Sequence, residues 1–306
     1  MIIRMDKFKN LKNLIDTVIY HDPCQDGFSA AWVAYHYNKN IKLIPKRINA
    51  DPIEPELYIG KNVLMVDIVT NDFKEIKQKA NNLLILDHHI TNQESLKDID
   101  YAYFDMHKSG VGLAWEFFFG GDIPYFLACI QDRDLWNWQI EKSREFCEGF
   151  YIIMNLDEEE SFNKRIDNKL KLYNELLDNN KKFEYYLEIG TLFDQSKMNK
   201  IKLMIRNLKL YKIKLENYNE LKVAIFNCYS DIASELGNYA VENTDADFAI
   251  MWRYNHEDEQ YYYSLRSKDS KCDVSRICRL FGGGGHRNAA GCASKLHPKE
   301  LFQYYK

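Results

Sequence analysis

The sequence has little of what a membrane or secreted protein needs. No apolar run in its 306 residues approaches the roughly 20 residues of a membrane-spanning helix. Residues 1–10 lack both an apolar core of signal-peptide length and a small-residue cleavage site. The seven cysteines are odd in number and form no Cys-x-x-Cys pair, which is typical of reduced thiols. We therefore expect a cytoplasmic protein that does not enter a membrane.

The sequence also lacks an excess of basic charge. Its 41 lysines and arginines are outnumbered by 45 aspartates and glutamates, so the formal net charge is −4. A protein that coats long duplex DNA needs a basic face, so we do not expect that class of partner. With 46% hydrophobic and 28% charged residues, the composition is that of an ordinary globular protein of one large or two moderate domains.

Strands and helices alternate in the first half of the sequence. Apolar runs predict strands at residues 17–20, 62–68 and 83–86, and apolar periodicity predicts helices at residues 27–37, 111–119 and 126–131. Ser109 is the predicted N-cap of the second helix. This alternation predicts an α/β domain at residues 1–155, in which helices cover a parallel sheet.

The second half has a different organisation. Residues 156–206 are polar, rich in lysine and helical in pattern, and predict a helical connector. Strands are then predicted at residues 208–215, 223–226, 248–252 and 261–265, and a glycine run precedes a short helical stretch that ends at residue 290. We expect a smaller α/β domain with a mixed sheet at residues 207–306.

Histidines and aspartates follow the predicted strands and helices of the first half. Ligand sites in parallel sheets lie at the carboxyl ends of the strands, so these side chains are expected to meet at one edge. Crowded carboxylates repel one another unless a cation neutralises them, and a mixed carboxylate and imidazole set suits Mn²⁺, Mg²⁺, Fe²⁺ or Zn²⁺. The candidates are His21, Asp26, Asp67, Asp87, His88, His89, and Asp132 or Asp134.

The triplet Asp87-His88-His89 is the motif that names the DHH phosphoesterases, and the sequence resembles that family. The other candidates occur around the triplet in the family's order. The second half resembles the DHH-associated C-terminal domain through Ser264-Leu265-Arg266-Ser267 and through the glycine run at residues 282–285 followed by His286. The resemblance covers nearly the whole chain, and the two motifs together are a more specific signal than either alone.

The resemblance implies two divalent ions, most often manganese in this family, with Mg²⁺, Fe²⁺ and Zn²⁺ as alternatives. Asp67 matches the carboxylate that bridges the two ions, and His21 matches a ligand of one ion. The ligands expected for the other ion are Asp26, His88 and Asp132.

Two catalytic residues follow from the same resemblance. His89 matches a residue that faces the scissile phosphate, and Asp87 is expected to orient the histidine pair. The residues expected to bind the substrate are Ser264, Arg266, Gly283, Gly284, Gly285 and His286.

The first motif departs from the family pattern, because it is one residue shorter and has Cys24 where an aspartate is expected. Three interpretations remain open. Cys24 is a thiolate ligand, or Asp22 replaces the missing carboxylate, or water fills that coordination position. A buried thiol without a role is the plain structural alternative for Cys24.

A second choice concerns the last acidic ligand. Asp132 follows a predicted helix, as the family's last ligand does, and is preferred over Asp134. Asp134 begins a run that includes Trp136 and Trp138, whose indoles would either stack on a base or pack in the core.

The resemblance therefore implies a two-metal phosphodiesterase that hydrolyses short oligonucleotides or dinucleotides to mononucleotides by activating water. The glycine run would let the backbone donate N–H groups to a phosphate. Alternative enzymes are a phosphoadenosine phosphatase and an exopolyphosphatase, and a non-catalytic nucleotide-binding module is the alternative from another class. The expected partner is one of these phosphoester substrates, and a dimer is the first oligomeric state to test.

Overall fold

The computed structural model describes residues 5–47, 51–156, 161–215 and 218–306. The chain divides into two compact units, Met1–Asp194 and Gln195–Lys306. Among the described residues, no helix is long and apolar enough to cross a membrane.

The first unit is built on a five-stranded sheet in which every neighbouring pair is parallel. The strand order is β2-β1-β3-β4-β5. The three central strands are almost entirely buried because helices cover both faces of the sheet. The strands are β1 (Thr17–His21), β2 (Lys42–Lys46), β3 (Asn62–Val66), β4 (Asn82–Asp87) and β5 (Ala102–Phe104).

Helix α1 is the central helix of the first unit, and its first ten residues are all buried. Trp32 donates a hydrogen bond from Nε1 to Asn174 Oδ1 over 3.1 Å, and the Ser29 and Tyr173 hydroxyls lie 2.7 Å apart. The helices of the chain up to residue 205 are α1 (Gln25–Tyr37), α2 (Phe73–Lys79), α3 (Gln93–Leu96), α4 (Gly110–Phe118), α5 (Tyr125–Asp134), α6 (Ser143–Met154), α7 (Phe162–Asp178) and α8 (Asn180–Ile205). Short 3₁₀ turns occur at Met5–Leu11, Pro55–Leu57 and Ile90–Asn92.

The second unit is built on a six-stranded mixed sheet with the order β10-β11-β9-β8-β7-β6. Only the β7–β8 pair is parallel among these strands. The elements are β6 (Tyr211–Ile213), β7 (Leu221–Asn227), α9 (Ser230–Asn243), β8 (Phe248–Asn255), β9 (Gln260–Arg266), α10 (Val274–Arg279), β10 (Gly284–His286), β11 (Ala289–Ser294) and α11 (Pro298–Phe302). Helix α9 packs on one face of the sheet and α10 packs on the other.

These two sheets confirm the predicted fold class, an α/β domain with a parallel sheet and a second domain with a mixed sheet. One local prediction is wrong. The residues after the glycine run form no helix, because β10 and β11 pair as an antiparallel hairpin around Arg287 and Asn288. The predicted strand at residues 208–215 is shorter than expected and covers Tyr211–Ile213.

The predicted connector at residues 156–206 contributes to the core of the first unit. Leu170, Tyr173 and Leu176 of α7 and Tyr186 of α8 are buried in the same hydrophobic cluster as Trp32. The boundary between the two units falls after Asp194, inside α8. Residues 157–160 of the predicted connector lie outside the described residues.

Candidate metal centre

The centre lies at the carboxyl edge of the parallel sheet. Strands β1, β3 and β4 are direct neighbours, and each ends in or next to a candidate ligand. His21 ends β1, Asp67 follows β3, and Asp87 ends β4 just before His88 and His89. Because parallel strands end on the same side, the predicted residues meet there.

Asp67 occupies the middle of this edge in a strained backbone conformation. Its φ of 62° lies in the left-handed region, which costs a residue with a Cβ about 1–2 kcal/mol. The carboxylate lies between the starts of α1 and α4. A Cβ added to Gly27 would lie 3.0 Å from Asp67 Oδ2, and one added to Gly110 would lie 2.6 Å from Asp67 Cβ. Gly110 therefore leaves room for Asp67, whereas a Cβ on Gly27 would collide first with the carbonyl oxygen and the Cβ of His21.

The two oxygens of Asp67 face different histidines. Oδ1 lies 3.1 Å from His88 Nε2, and Oδ2 lies 3.5 Å from His21 Nδ1. Two sets of potential metal ligands share this carboxylate: the first ligand group is His21, Asp67 and His89, and the second is Asp26, Asp67 and His88. Within each group the ligand atoms lie within 4.8 Å of one another. A carboxylate shared in this way has the arrangement required to bridge two cations.

Asp26 in the first turn of α1 is 1% exposed. Its Oδ1 accepts hydrogen bonds from the Ser109 hydroxyl over 2.6 Å and from the Val111 N–H over 3.1 Å. Its Oδ2 is buried and has no hydrogen-bond partner in the described part of the chain. Oδ1 of Asp26 is therefore hydrogen-bonded to α4, and Oδ2 is the oxygen that is available to the second ligand group.

Three buried polar atoms of the ligand groups lack a hydrogen-bond partner among the described residues: His21 Nδ1, Asp26 Oδ2 and Asp67 Oδ2. Unsatisfied buried polar atoms are costly, and a bound ion is one of the few explanations for a cluster of them. Oxygen and imidazole donors suit Mn²⁺, Mg²⁺, Fe²⁺ or Zn²⁺. The residues present therefore fit divalent cations.

Two helices begin at the ligand groups. Cys24 is the N-cap of α1, and Ser109 is the N-cap of α4. The positive end of a helix dipole favours nearby negative charge, so both helix starts offset part of the repulsion between Asp26 and Asp67.

His89 is oriented from behind by Asp87. Its Nδ1 lies 2.8 Å from Asp87 Oδ1, and the other oxygen of Asp87 accepts a hydrogen bond of 2.8 Å from Asn92 Nδ2. Asp87 itself is fully buried. A carboxylate in this position fixes the ring and tautomer of its histidine, which is the task expected of Asp87. His89 lies in the first ligand group, whereas the sequence resemblance implied a catalytic residue that faces the scissile phosphate.

The structure brings Asp134 to the centre and gives Asp132 a different task. Asp134 Oδ2 lies 3.5 Å from His88 Nε2. Both oxygens of Asp132 accept hydrogen bonds from the loop that follows α5: from Gln139 N over 2.8 Å, Ile140 N over 3.2 Å and Ser143 Oγ over 2.6 Å. The preference for Asp132 is thus corrected, because α5 continues to Asp134 and the returning loop occupies Asp132.

Cys24 lies close to the carboxylates without joining either ligand group. Its burial and the nearby charges of Asp67, Asp134 and Asp26 raise the pKa of the Cys24 thiol well above its usual value, which favours a neutral thiol over a thiolate. Asp22 also belongs to neither group in the described part of the chain. Among the described residues, the geometry thus gives no support to the two interpretations in which Cys24 or Asp22 is a ligand.

The charges of the centre shift one another's pKa values. Burial, followed by the charges of Asp134 and Asp67, raises the pKa of Asp26 well above its usual range. Burial opposes the shift at Asp67, but the contacts with His21 and His88 hold the pKa of Asp67 below its usual range. Burial alone would lower the pKa of His88, yet Asp67 and Asp134 raise it to about 10. Without a cation, the centre therefore retains a proton on His88 at neutral pH.

The residues expected to bind substrate lie in the second unit, on two faces of its sheet. The register pairs Gly284 with Gly291 and Gly291 with Ser264, and it pairs His286 with Ala289 and Ala289 with Arg266. Since cross-strand partners share a face, Ser264, Arg266, Gly284 and His286 lie on the face that carries α9.

Gly283 and Gly285 have a different structural role. A Cβ on Gly283 would lie 2.1 Å from Gly291 O, and one on Gly285 would lie 2.5 Å from Ala289 O. Gly285 also has a φ of 136°, which side-chain-bearing residues rarely adopt. Close packing within the β10–β11 hairpin is sufficient to explain these two glycines.

Arg266 is held by its own strand and by α9. Its Nη2 donates to Ser234 Oγ over 2.7 Å and its Nη1 donates to Leu265 O over 2.9 Å. Burial lowers the pKa of Arg266, and the nearby Glu235 opposes that shift. The guanidinium therefore has a defined position at the start of α9.

Sequence reasoning missed two positioning contacts of the centre. Ser109 was predicted as a helix cap, and nothing in its neighbours signals a bond to Asp26, which lies 83 positions earlier. Asn92 follows the triplet closely, and that proximity is a usable signal for a residue that contacts Asp87.

The parallel-sheet domain and the mixed-sheet domain make up a two-domain α/β fold, and the shared ligand groups lie in the first of them. The chain belongs to the same family as the uncharacterized protein R106 of Acanthamoeba polyphaga mimivirus. The two are 33% identical over 304 residues, an alignment that covers 92% of this chain and 68% of R106. No family model matches the chain.

Solved structures agree on the fold. An exopolyphosphatase-related protein from Bacteroides fragilis matches with a TM-score of 0.53 and 15% identity, covering 98% of this chain and 93% of that protein. CDC45 from Entamoeba histolytica matches with a TM-score of 0.52 and 9% identity, covering 99% of this chain and 98% of that protein. At these identities the similarity is one of fold.

Proposed function

We propose that this protein is a metal-dependent phosphodiesterase that hydrolyses dinucleotides or short oligonucleotides to mononucleotides. The observation that carries the proposal is Asp67, which belongs to both ligand groups and whose two oxygens face different histidines, His88 and His21. Strained backbone conformations collect at functional sites, and a buried carboxylate among three histidines is suited to bridging two cations.

The two ligand groups would hold two divalent cations. Mn²⁺ is the usual ion in the DHH phosphoesterases, the family that the sequence resembles. Bound there, the cations would supply an activated water for attack on phosphorus and would neutralise charge on the phosphoryl oxygens. The protein would hold this arrangement through Asp67, through Asp26 fixed by α4, and through His89 fixed by Asp87. Asp134, beside His88 and partly exposed, would complete the second ligand group from the solvent side.

Substrate binding would fall to the second unit. Ser264, Arg266, Gly284 and His286 share one face of its sheet, where an arginine and a histidine can donate charge-assisted hydrogen bonds to a phosphate. Ser264 and Gly284 are small, so an anion could approach the backbone closely at these two positions.

Two tryptophans favour a nucleotide substrate over polyphosphate. Trp136 and Trp138 lie two and four positions after Asp134, and their ring centroids are 4.9 Å apart at an interplanar angle of 73°. Both have a positive φ, 56° and 52°, which is unusual for bulky residues, and the Asp132 carboxylate clamps the loop that carries them. Strain of this kind collects at functional sites, and indoles are good stacking surfaces for bases.

The deciding experiment measures hydrolysis of three substrates, each with added Mn²⁺: the dinucleotide pGpG, phosphoadenosine phosphate and polyphosphate. We expect release of mononucleotides from pGpG and little turnover of the others. Phosphate release from polyphosphate alone would withdraw the nuclease proposal. Polyphosphate belongs in the panel because the solved neighbour from Bacteroides fragilis is named as exopolyphosphatase-related.

Replacing Trp136 by alanine tests the contribution of the indoles. Loss of one stacking contact is worth about 1–3 kcal/mol, so we expect KM for pGpG to rise about 10-fold with kcat little changed. Trp115→Ala is the matched control, because Trp115 stacks on Phe119 at 4.5 Å in the same unit. An equal rise in KM for pGpG in both variants would contradict a stacking role for Trp136.

A nucleotide-binding module without catalysis is the second candidate. The short first motif favours it, because neither Cys24 nor Asp22 joins a ligand group among the described residues. Metal analysis separates the two candidates. Two Mn²⁺ per chain with turnover supports the enzyme, whereas one ion or none, with tight nucleotide binding and no turnover, supports the module.

A further inference from the structure

The first turn of α4 is capped in an unusual way. An N-cap serine normally accepts a hydrogen bond from a backbone N–H of the first turn. Ser109 makes no such bond, and its hydroxyl donates to Asp26 Oδ1 over 2.6 Å. The N–H of Val111 also donates to Asp26 Oδ1, over 3.1 Å. Asp26 has therefore taken the place of the capping side chain.

We infer that Ser109 is a positioning residue for the second ligand group, fixing the Asp26 carboxylate so that only Oδ2 is presented to a cation. This inference rests on the proposed metal centre. The χ2 torsion of an aspartate is broad and nearly two-fold, so a lone Asp26 could exchange its oxygens. Two donors on the same oxygen remove that freedom.

Ser109 is itself held on two sides. Its backbone N–H donates to Gln131 Oε1 of α5 over 3.2 Å, and its carbonyl accepts from Leu113 N over 2.9 Å. Ser109 is fully buried, so water is poorly placed to substitute for its hydroxyl. Gly110 completes the contact, because a Cβ there would lie 2.7 Å from Asp26 Oδ2. The start of α4 thus sets the position of both oxygens.

The test compares Mn²⁺ binding by the variants Ser109→Ala, Ser109→Thr and Ser143→Ala. Binding is measured by calorimetry and by electron paramagnetic resonance, with Mn²⁺ added and no substrate present. Ser143 is the matched control, because it is also buried and donates its hydroxyl over 2.6 Å to an aspartate, Asp132 Oδ2, outside the ligand groups. Unfolding midpoints in EDTA report the structural cost of each change.

We expect S109A to bind one of two Mn²⁺ ions about 10-fold more weakly, the lower end of the effect seen when a residue that orients a ligand is lost. S109T keeps a hydroxyl and should restore the affinity. S143A should lose a similar amount of stability with wild-type affinity at both sites. Normal binding of both ions by S109A, or equal weakening in S109A and S143A, would overturn the inference.

If S109A does not fold, Ser109→Cys replaces it in the Mn²⁺-binding test. Cysteine keeps the volume but offers only a weak S–H donor, so the same single-site weakening is expected, and wild-type affinity would count against Ser109. These readouts are independent of hydrolysis. Wild-type protein that binds two ions but cleaves nothing would refute the proposed function alone, whereas normal binding by S109A beside active wild type would refute the Ser109 role alone.

Discussion

Asp67 is the residue on which the geometry of the centre depends. In the part of the chain that the structure describes, it alone belongs to both ligand groups, and its left-handed backbone directs the carboxylate between Gly27 and Gly110. Strain at this position is maintained because α1 and α4 confine the side chain on both sides.

Replacing Asp67 by asparagine should remove both ligand groups at once. An amide is a neutral and weaker ligand, so we expect Mn²⁺ affinity to fall more than about 100-fold and turnover to be lost. Asp132→Asn is the control, since Asp132 is an equally buried acid outside the centre. Metal analysis after gel filtration gives the stoichiometry. D67N with two tightly bound ions and full activity would contradict the assignment of the centre.

Replacing Arg266 by alanine should affect binding more than chemistry. A lost charge-assisted contact to a substrate phosphate raises KM, and we expect about 10-fold with kcat within about two-fold of wild type. Arg253→Ala is the control, because Arg253 lies on the neighbouring strand β8 and stacks on Tyr262 at 4.7 Å. Steady-state kinetics on pGpG decide. A fall in kcat at unchanged KM would assign Arg266 a different role.

At the scale of helices and strands, the sequence predicted the elements with strong apolar patterns. Strands β1, β3 and β4 are nearly continuous apolar runs, and α1 and α4 have clear starts, so the edge that carries the centre was predictable. Strand β2 contains Pro45 and is half-exposed, and β5 has three residues, so neither gives a pattern. Both form because they add to an existing sheet.

Tertiary contacts explain the other differences. Asp132 and Asp134 are equivalent by local pattern, and only the loop that returns to Asp132 distinguishes them. The glycine run was interpreted from its conformational freedom, whereas close packing between β10 and β11 uses Gly283 and Gly285.

The junction of α1, α4 and β3 gives a prediction at this scale. Gly110→Ala places a methyl group 2.6 Å from Asp67 Cβ, and overpacking of this kind costs about 1–3 kcal/mol. We expect weaker Mn²⁺ binding in both ligand groups together with a lower unfolding temperature.

Gly149→Ala is the control for that experiment. A Cβ on Gly149 would lie 1.9 Å from Tyr186 O, a collision between α6 and α8 away from the ligand groups. It should lower stability without a change in Mn²⁺ affinity. If G110A binds both ions with wild-type affinity, the close packing of α4 against the carboxylates is not needed for Mn²⁺ binding.

For the whole molecule, the protons bound by His88 and His89 contribute to how stability changes with pH. The pKa of His88 is raised to about 10 and that of His89 to about 9, against an ordinary value near 6.5. The folded state thus binds more protons than the unfolded state between these values. The stability they contribute is present below about pH 6.5 and is lost as pH rises through 9 to 10.

We therefore expect metal-free protein to unfold at lower temperature as pH rises from 6 to 9.5. Cations compete with these protons, so Mn²⁺ affinity and the stabilisation by Mn²⁺ should increase over the same range. Thermal unfolding in EDTA and in Mn²⁺ at several pH values measures both trends, with His88→Asn as the variant of reduced slope. Metal-free stability that rises with pH would contradict the charge state described for the centre.

The hydrogen bond from Val111 N–H to Asp26 Oδ1 has a spectroscopic consequence. Electron density drawn to one oxygen of a carboxylate is withdrawn from the other, so the nuclear shielding of this amide hydrogen depends on what Oδ2 holds. We therefore expect one backbone resonance, belonging to a residue that is not itself a ligand, to shift when a diamagnetic cation such as Mg²⁺ or Zn²⁺ binds the second ligand group.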